Sequence, residues 1–169
     1  MTPVVRLPSG LTYVPVGAML HFVVYGMPAP QGSKRHVGGG VMIESSKKVA
    51  PWREDVKHAA LRALDAEPGW DRCGQIITAR MTFVLPRPLA HYWTGKRVGE
   101  LRDDAPHLHT KRPDLDKLIR STCDALTTAG AYPDDSCLAQ ITATKVYATT
   151  GHELDRPGAW ITLWEGVDE

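Results

Sequence analysis

The chain has 169 residues, 43% of them hydrophobic and 23% charged, and its 20 Lys and Arg against 19 Asp and Glu leave a formal charge of +1. That length suits one core of ordinary globular composition and excludes collagen-like, low-complexity and disulfide-scaffold architectures. The longest apolar stretch, Val14 to Val24, is broken by Pro15, Gly17 and His21 and falls short of the about 20 residues that a membrane span needs.

Met1 to Gly10 carries one basic residue and no signal-type apolar run, so the cytoplasm is the expected compartment. No internal repeat divides the chain, and a single domain over residues 1–169 is expected, with its core at about 20–165 and frayed ends. β-branched and aromatic residues predict a first strand over Leu20–Tyr25, stopped by Gly26 and the proline-rich segment to Arg35. Gly38-Gly39-Gly40 before Val41-Met42-Ile43 suggests a hairpin. Trp52, Val56, Ala59, Ala60, Ala63 and Leu64 recur with helical period and predict a helix from about Pro51 to Ala66. Alternation over Ile76–Leu85 predicts a strand that Pro86 ends.

From Arg87 to Arg112 no period is sustained, and a long loop of that kind is commonly functional or mobile. Leu115, Leu118, Ile119, Thr122 and Leu126 then predict a helix that starts after Pro113-Asp114 and stops at Gly130. Strands follow near Leu138–Tyr147 and Ala159–Trp164. The order reads as α+β: a mixed or mostly antiparallel sheet with two helices packed on it.

The near-zero charge conceals an uneven distribution. Lys34, Arg35, Lys47, Lys48, Arg53, Lys57 and Arg62 fall in one stretch, Lys111, Arg112, Lys117 and Arg120 close another, and acids gather at the C-terminus. A basic face on a neutral protein is thereby allowed. The acids of the second helix carry the chemistry. Asp116, Arg120 and Asp124 are spaced i, i+4, i+8 on one face, Asp114 stands at the helix mouth, and a loop after Gly130 can return Asp134 or Asp135 toward the first turn. Crowded carboxylates raise one another's pKa unless a cation neutralises them. Mg2+ suits such oxygen ligands together with substrate phosphates, which points to a phosphodiester substrate. The same residues also admit a purely structural account, with Asp114 as an N-cap, Asp116 as a dipole-favoured acid, a salt-bridged outer stripe, and Asp134-Asp135 as turn residues.

Arg112-Pro-Asp-Leu-Asp-Lys-Leu118, Asp124-Ala-Leu126, Gly130, Asp134-Asp135 and Lys145 resemble, in order and spacing, the pattern of the RusA family of Holliday-junction resolvases. The loop Gly26–Arg35 and the strand end Phe83–Pro88 are similar to that family too, so the resemblance covers about Leu20 to Ala148. It implies a Mg2+-dependent endodeoxyribonuclease of bacterial, phage or prophage type, with Mn2+ as a substitute, that cuts branched DNA, above all four-way junctions, as a homodimer. It also implies metal-binding catalytic acids at Asp114, Asp116 and Asp135, with Asp134 adjacent. Where the family has a lysine one turn after the second aspartate, this chain has Arg120, and Lys117 replaces the family's usual Asn. Arginine keeps the charge but is a poor proton donor, so Arg120 is expected to stabilise phosphate charge rather than act as an acid. Lys34, Arg35, Lys111, Arg112 and Lys117 are the expected DNA-backbone contacts. Two alternatives stay open: a metal-dependent nuclease without junction preference, and an accessory DNA-binding protein of the same fold with impaired catalysis.

His107 and His109 share a strand-like face but lack a third ligand, so a zinc site is not expected there. Tyr92 and Trp93 are candidates for stacking on unpaired bases or for packing on the sheet. Cys73, Cys123 and Cys137 suggest neither a disulfide framework nor a zinc ribbon, and Cys123 reads as a packing residue.

Overall fold

The structure, a computed structural model, describes residues 5–6, 12–13, 18–32, 34–36, 42–44, 47–70, 76–149 and 154–166. Near the N-terminus, where the sequence suggested fraying, β1 (Val5–Arg6) and β2 (Thr12–Tyr13) form a short antiparallel ladder. β3 (Met19–Tyr25) buries Leu20, Phe22 and Val24 on alternate positions. The expected hairpin exists as β4 (Lys34–His36) against β5 (Met42–Glu44), although its glycine turn, Gly38 to Gly40, lies outside the described residues. Helix α1 (Val49–Ala66) begins two residues before Pro51, and β6 (Ile77–Leu85), α2 (Leu115–Ala129), β7 (Leu138–Tyr147) and β8 (Gly158–Glu165) fall where period and punctuation put them.

The main sheet has the order β3-β8-β6-β7. β8 runs antiparallel to both β3 and β6, whereas β6 and β7 are parallel, so the sheet is mixed and the fold is α+β as expected. Trp52, Val56, Ala60 and Leu64 of α1, with Leu118, Ala125 and Leu126 of α2, are buried in one core with Ala79, Met81 and Phe83 of β6 and Ile161 and Leu163 of β8. Trp52 stands at its centre, fully buried, 6.5 Å from Phe83, with its indole N–H donated to Thr122 Oγ1 at 3.2 Å. That bond satisfies the one polar group such a large apolar side chain brings inside. Because alternate strand residues face opposite ways, Val84, Val146, Ala148 and Leu154 make a smaller cluster on the other side of the sheet.

The long segment between β6 and α2 is pinned at several points. The Arg87 guanidinium donates to the Ala148 and Pro106 carbonyls and to Thr149 Oγ1, each at 2.9 Å, and lies over the Tyr147 ring. His109 packs on the same ring at 4.5 Å and donates its backbone N–H to the Lys145 carbonyl, while the Tyr147 N–H returns to the His107 carbonyl. His109 is therefore a packing residue that fixes the loop to the end of β7.

Two outcomes follow from these contacts. A Cβ on Gly158 would run into the Val24 carbonyl oxygen and the Leu154 side chain, so Gly158→Ala should lower stability by about 2 kcal/mol, read by denaturant unfolding. Burial, reinforced by the Lys145 charge, holds the His109 pKa below the ordinary histidine value. Protonation thus favours the undocked loop: docking is complete above about pH 6.5 and weakens as pH falls below it. Hydrogen exchange at the His109 and Tyr147 amides should speed up on acidification in the wild type beyond the intrinsic trend, and His109→Phe should abolish that excess.

Candidate active site at the start of the second helix

Helix α2 presents one face to the core and another to solvent. Ser121 fastens the inner face, donating its hydroxyl to the Ala29 carbonyl at 2.7 Å, and the Gln31 N–H binds the Lys117 carbonyl at 3.0 Å, so the loop after β3 is tied to the first turns of α2. The helix ends as expected on Gly130, whose φ of 73° is the left-handed conformation that caps Leu126 and Thr127 carbonyls. With both ends fixed, Asp116, Lys117 and Arg120 are left exposed on the outer face.

Asp114 holds the N-cap backbone position, but its carboxylate makes no capping bond. It faces the Lys117 ammonium at 2.8 Å instead. The hydrogen bond and charge of Lys117, with smaller help from Arg112 and Lys145, keep the Asp114 carboxyl below its usual range. Lys117 is raised in turn, first by Asp114 and more weakly by Asp116, so a single cation answers both acids. Beneath this pair, Lys145 of β7 donates to the backbone carbonyls of Lys111 at 2.8 Å and Pro113 at 2.6 Å. Its ammonium thereby clamps the turn that delivers Asp114. The role of Lys145 was not legible in the sequence, since its partners are backbone atoms more than thirty residues away.

The other predicted residues separate. Asp124 is committed to Arg53 of α1 by an ion pair and is not part of this site. Asp134 accepts the Ser136 N–H at 2.9 Å and so caps the short turn before β7, and hydrogen bonds from the Ser136 side chain first and its backbone second lower the Asp134 pKa. Asp135 opens that turn and accepts the Thr127 hydroxyl at 2.6 Å. Thr127 lies eleven residues beyond Asp116, roughly 16 Å of helix rise. Among the described residues no three His, Cys, Asp or Glu side chains are grouped to share a metal ion. Within one chain, Asp114 and Asp116 form a pair and Asp135 stands at the far end of α2.

The pair fits a hard divalent cation. Both acids are exposed oxygen donors, Asp114 is held ionised, and Mg2+ commonly takes only one or two carboxylates, filling its remaining positions with water and phosphate oxygens. Lys111, Arg112, Lys117 and Arg120 are exposed around the acids, as a phosphate-binding rim requires. The side chains of Lys34 and Arg35, and all of Cys73, lie outside the described residues. Three residues of the first basic stretch, Lys47, Arg53 and Lys57, lie elsewhere and line part of a cleft of about 480 Å³ between α1 and α2. The Trp93 ring is covered by the guanidinium groups of Arg97 and Arg102 at 4.8 and 4.9 Å, so packing accounts for it. Cys123 is buried with its thiol pKa pushed up to about 12, chiefly by burial, which suits packing and not nucleophilic attack.

The family model described as endodeoxyribonuclease RusA matches residues 25–154 of this chain. Comparison with the curated proteins gives no match. The matched span contains every residue of the acid and clamp geometry. Lys145→Met should keep the fold but free the turn at Lys111–Asp114, seen as faster amide exchange there, with a loss of about 1.5–3 kcal/mol in local stability for a charge-assisted clamp.

Proposed function

Since the chain belongs to the RusA family of endodeoxyribonucleases, which resolve Holliday junctions with a divalent metal, we propose that it is a Mg2+-dependent, structure-selective nuclease that resolves four-way junctions by paired phosphodiester hydrolysis. The observation that carries this reading is the exposed placement of Asp114 and Asp116 at the mouth of α2 beside one cation, Lys117, which is ion-paired with Asp114 and feels the charge of Asp116. Lysine is a monovalent occupant on a flexible stem, and it can leave for a substrate phosphate when a stronger cation takes the acids.

The chemistry that a divalent ion supplies at such a position is activation of water and neutralisation of charge on the scissile phosphate. Asp114 and Asp116 would hold it, with Asp135 as the further acid. Arg120, one turn beyond Asp116, binds a non-bridging phosphate oxygen in the transition state and gives up no proton. Lys111, Arg112 and the released Lys117 hold flanking phosphates, with Lys34 and Arg35 extending the track. These contacts position DNA without reading its sequence. Selectivity then rests on junction shape, and a homodimer supplies one site for each of two symmetric strands. The chain has no described helix long and apolar enough to cross a membrane, and a cytoplasmic setting agrees with a DNA substrate.

Arg120 in the family's lysine position keeps a second reading in view: a junction-binding accessory protein that no longer cuts. Purified protein should nick a synthetic four-way junction only with Mg2+ or Mn2+, and symmetrically. Asp116→Asn should lose roughly 10³-fold or more in rate while binding the junction as well or better, because a repulsive charge has gone. Saturating metal at about 100 times its Kd should stabilise the wild type by about 2.7 kcal/mol in thermal unfolding and the variant by less. Binding with neither cutting nor metal stabilisation would leave the accessory reading, and equal cutting of a linear duplex would remove junction preference.

A further inference from the structure

We propose that the hairpin over residues 92–101 is a wedge for the branch point of the junction, with Val98 entering the base stack there while Lys96 holds an adjacent phosphate. The inference rests on the junction reading above and adds to it a second contact, away from the acids. It starts from exposure. Leu89 and Val98, at 87% and 76%, are the most exposed large apolar side chains among the described residues, and both belong to the segment between β6 and α2. A single apolar side chain in water is ordinary. Val98 differs from Leu89 in standing at the tip of a hairpin.

That hairpin is ordered by bonds of its own. Tyr92 and Leu101 form an antiparallel bridge, the Trp93 N–H donates to the Glu100 carbonyl at 2.8 Å, and the Arg102 N–H donates to the His91 carbonyl at 2.9 Å. Arg97 and Arg102 cover the Trp93 ring, and each is also paired with an acid, Glu100 and Asp104. At the tip, Gly95 and Gly99, with φ of 69° and 87°, turn the chain on either side of Lys96-Arg97-Val98. The Val98 N–H closes this turn on the Gly95 carbonyl at 3.2 Å. The tip is thus a fixed apolar point beside Lys96, which is exposed and makes no ion pair among the described residues.

β7 sets the hairpin beside the acids. Lys145 clamps the turn that delivers Asp114, and the Tyr147 ring, on the same face of the strand, meets the His91 ring edge-on at 4.8 Å at the root of the hairpin. The two anchors are separated by roughly 7 Å of strand. Charge selects DNA as the occupant, because residues 87–112 hold six Lys and Arg against three Asp and Glu. An apolar side chain flanked by cations is the pattern with which proteins unstack a base step and hold it open. A branch point, where continuous stacking is already interrupted, opens at the least cost.

Val98→Ser and Ile76→Ser are compared on a four-way junction that carries a stacking-sensitive fluorescent adenine analogue beside its branch point. Both positions are exposed, and Ile76 lies at the opposite end of β6, so each variant should fold, checked by thermal unfolding. With metal withheld, binding of the wild type or Ile76→Ser should raise the fluorescence, and Val98→Ser should lose most of that rise. At saturating enzyme with Mg2+, Val98→Ser should nick a fully paired junction about tenfold more slowly, and a junction built with unpaired bases at its branch point should restore the rate. Lys96→Gln should lower the salt slope of junction binding by about one. A Val98→Ser variant that unstacks and cuts as the wild type does, or that the opened junction fails to rescue, overturns the wedge and leaves the nuclease reading standing. Loss of the signal in Ile76→Ser as well overturns it too, and an unchanged slope overturns the Lys96 contact. A wild type that raises the fluorescence but never cuts overturns the nuclease reading and supports the wedge.

Discussion

The parallel pairing of β6 with β7 governs the rest of the molecule. Antiparallel neighbours can be joined by a tight turn, but parallel strands need a connection that returns across the sheet. Here the connection is the pinned loop and α2, and its length explains why so much chain lies between Leu85 and Leu138. It also explains where the acids are. The connection leaves the C-terminal end of β6, and Lys145 near the same end of β7 catches it just before α2 begins, so Asp114 and Asp116 are presented at the carboxyl ends of the two parallel strands. Open sheets favour that edge for ligand sites because loops there are free to vary while the strands hold them.

The site is an electrostatic arrangement more than a shaped pocket. Lys117 pairs with Asp114 at the surface, and the charge of Asp116 acts on the same ammonium, without burying any of the three. The remaining cations of this face, Lys111, Arg112 and Arg120, lie exposed on the loop and on the outer stripe of α2. Such a surface suits a polyanion that arrives with its own phosphates, and it suits a metal that needs open coordination positions. Arg53 and Asp124 act elsewhere, joining α1 to α2 by an ion pair.

Much of this was legible in the sequence. The helix faces followed from the spacing of Trp52, Val56 and Leu64 and of Leu118, Thr122 and Leu126, and Gly130 marked the end of α2 because only a left-handed residue closes that turn cheaply. The family was legible in the whole pattern from Arg112 through Asp114, Asp116, Asp124, Gly130 and Asp134-Asp135 to Lys145, and its model matches residues 25–154. Sequence spacing could not locate Asp135, since a turn after Gly130 was free to fold back to either end of the helix, and its bond with Thr127 decided the matter. Nor could it foresee that Trp93 would lie beneath the guanidinium groups of Arg97 and Arg102, since the loop that holds all three has no period, or that His109 would be buried on Tyr147, a contact from that loop to a strand distant in the chain. Strand order was equally hidden: alternation shows which face of a strand is buried and is silent about its neighbours.

That order has a consequence for how the chain acquires its structure during synthesis. β8, the last strand in the sequence, is inserted between β3 and β6, with Met19 opposite Trp164. Until it emerges from the ribosome, β3 has no sheet neighbour, and the inner faces of α1 and α2 have only half a floor to settle on. Contacts this distant in sequence make folding slow and leave hydrophobic surface uncovered meanwhile. That surface stays uncovered until nearly all of the chain has been made, and a ribosome stalled shortly before Gly158 holds a chain in which β6 and β7 can pair but β3 has nothing to join.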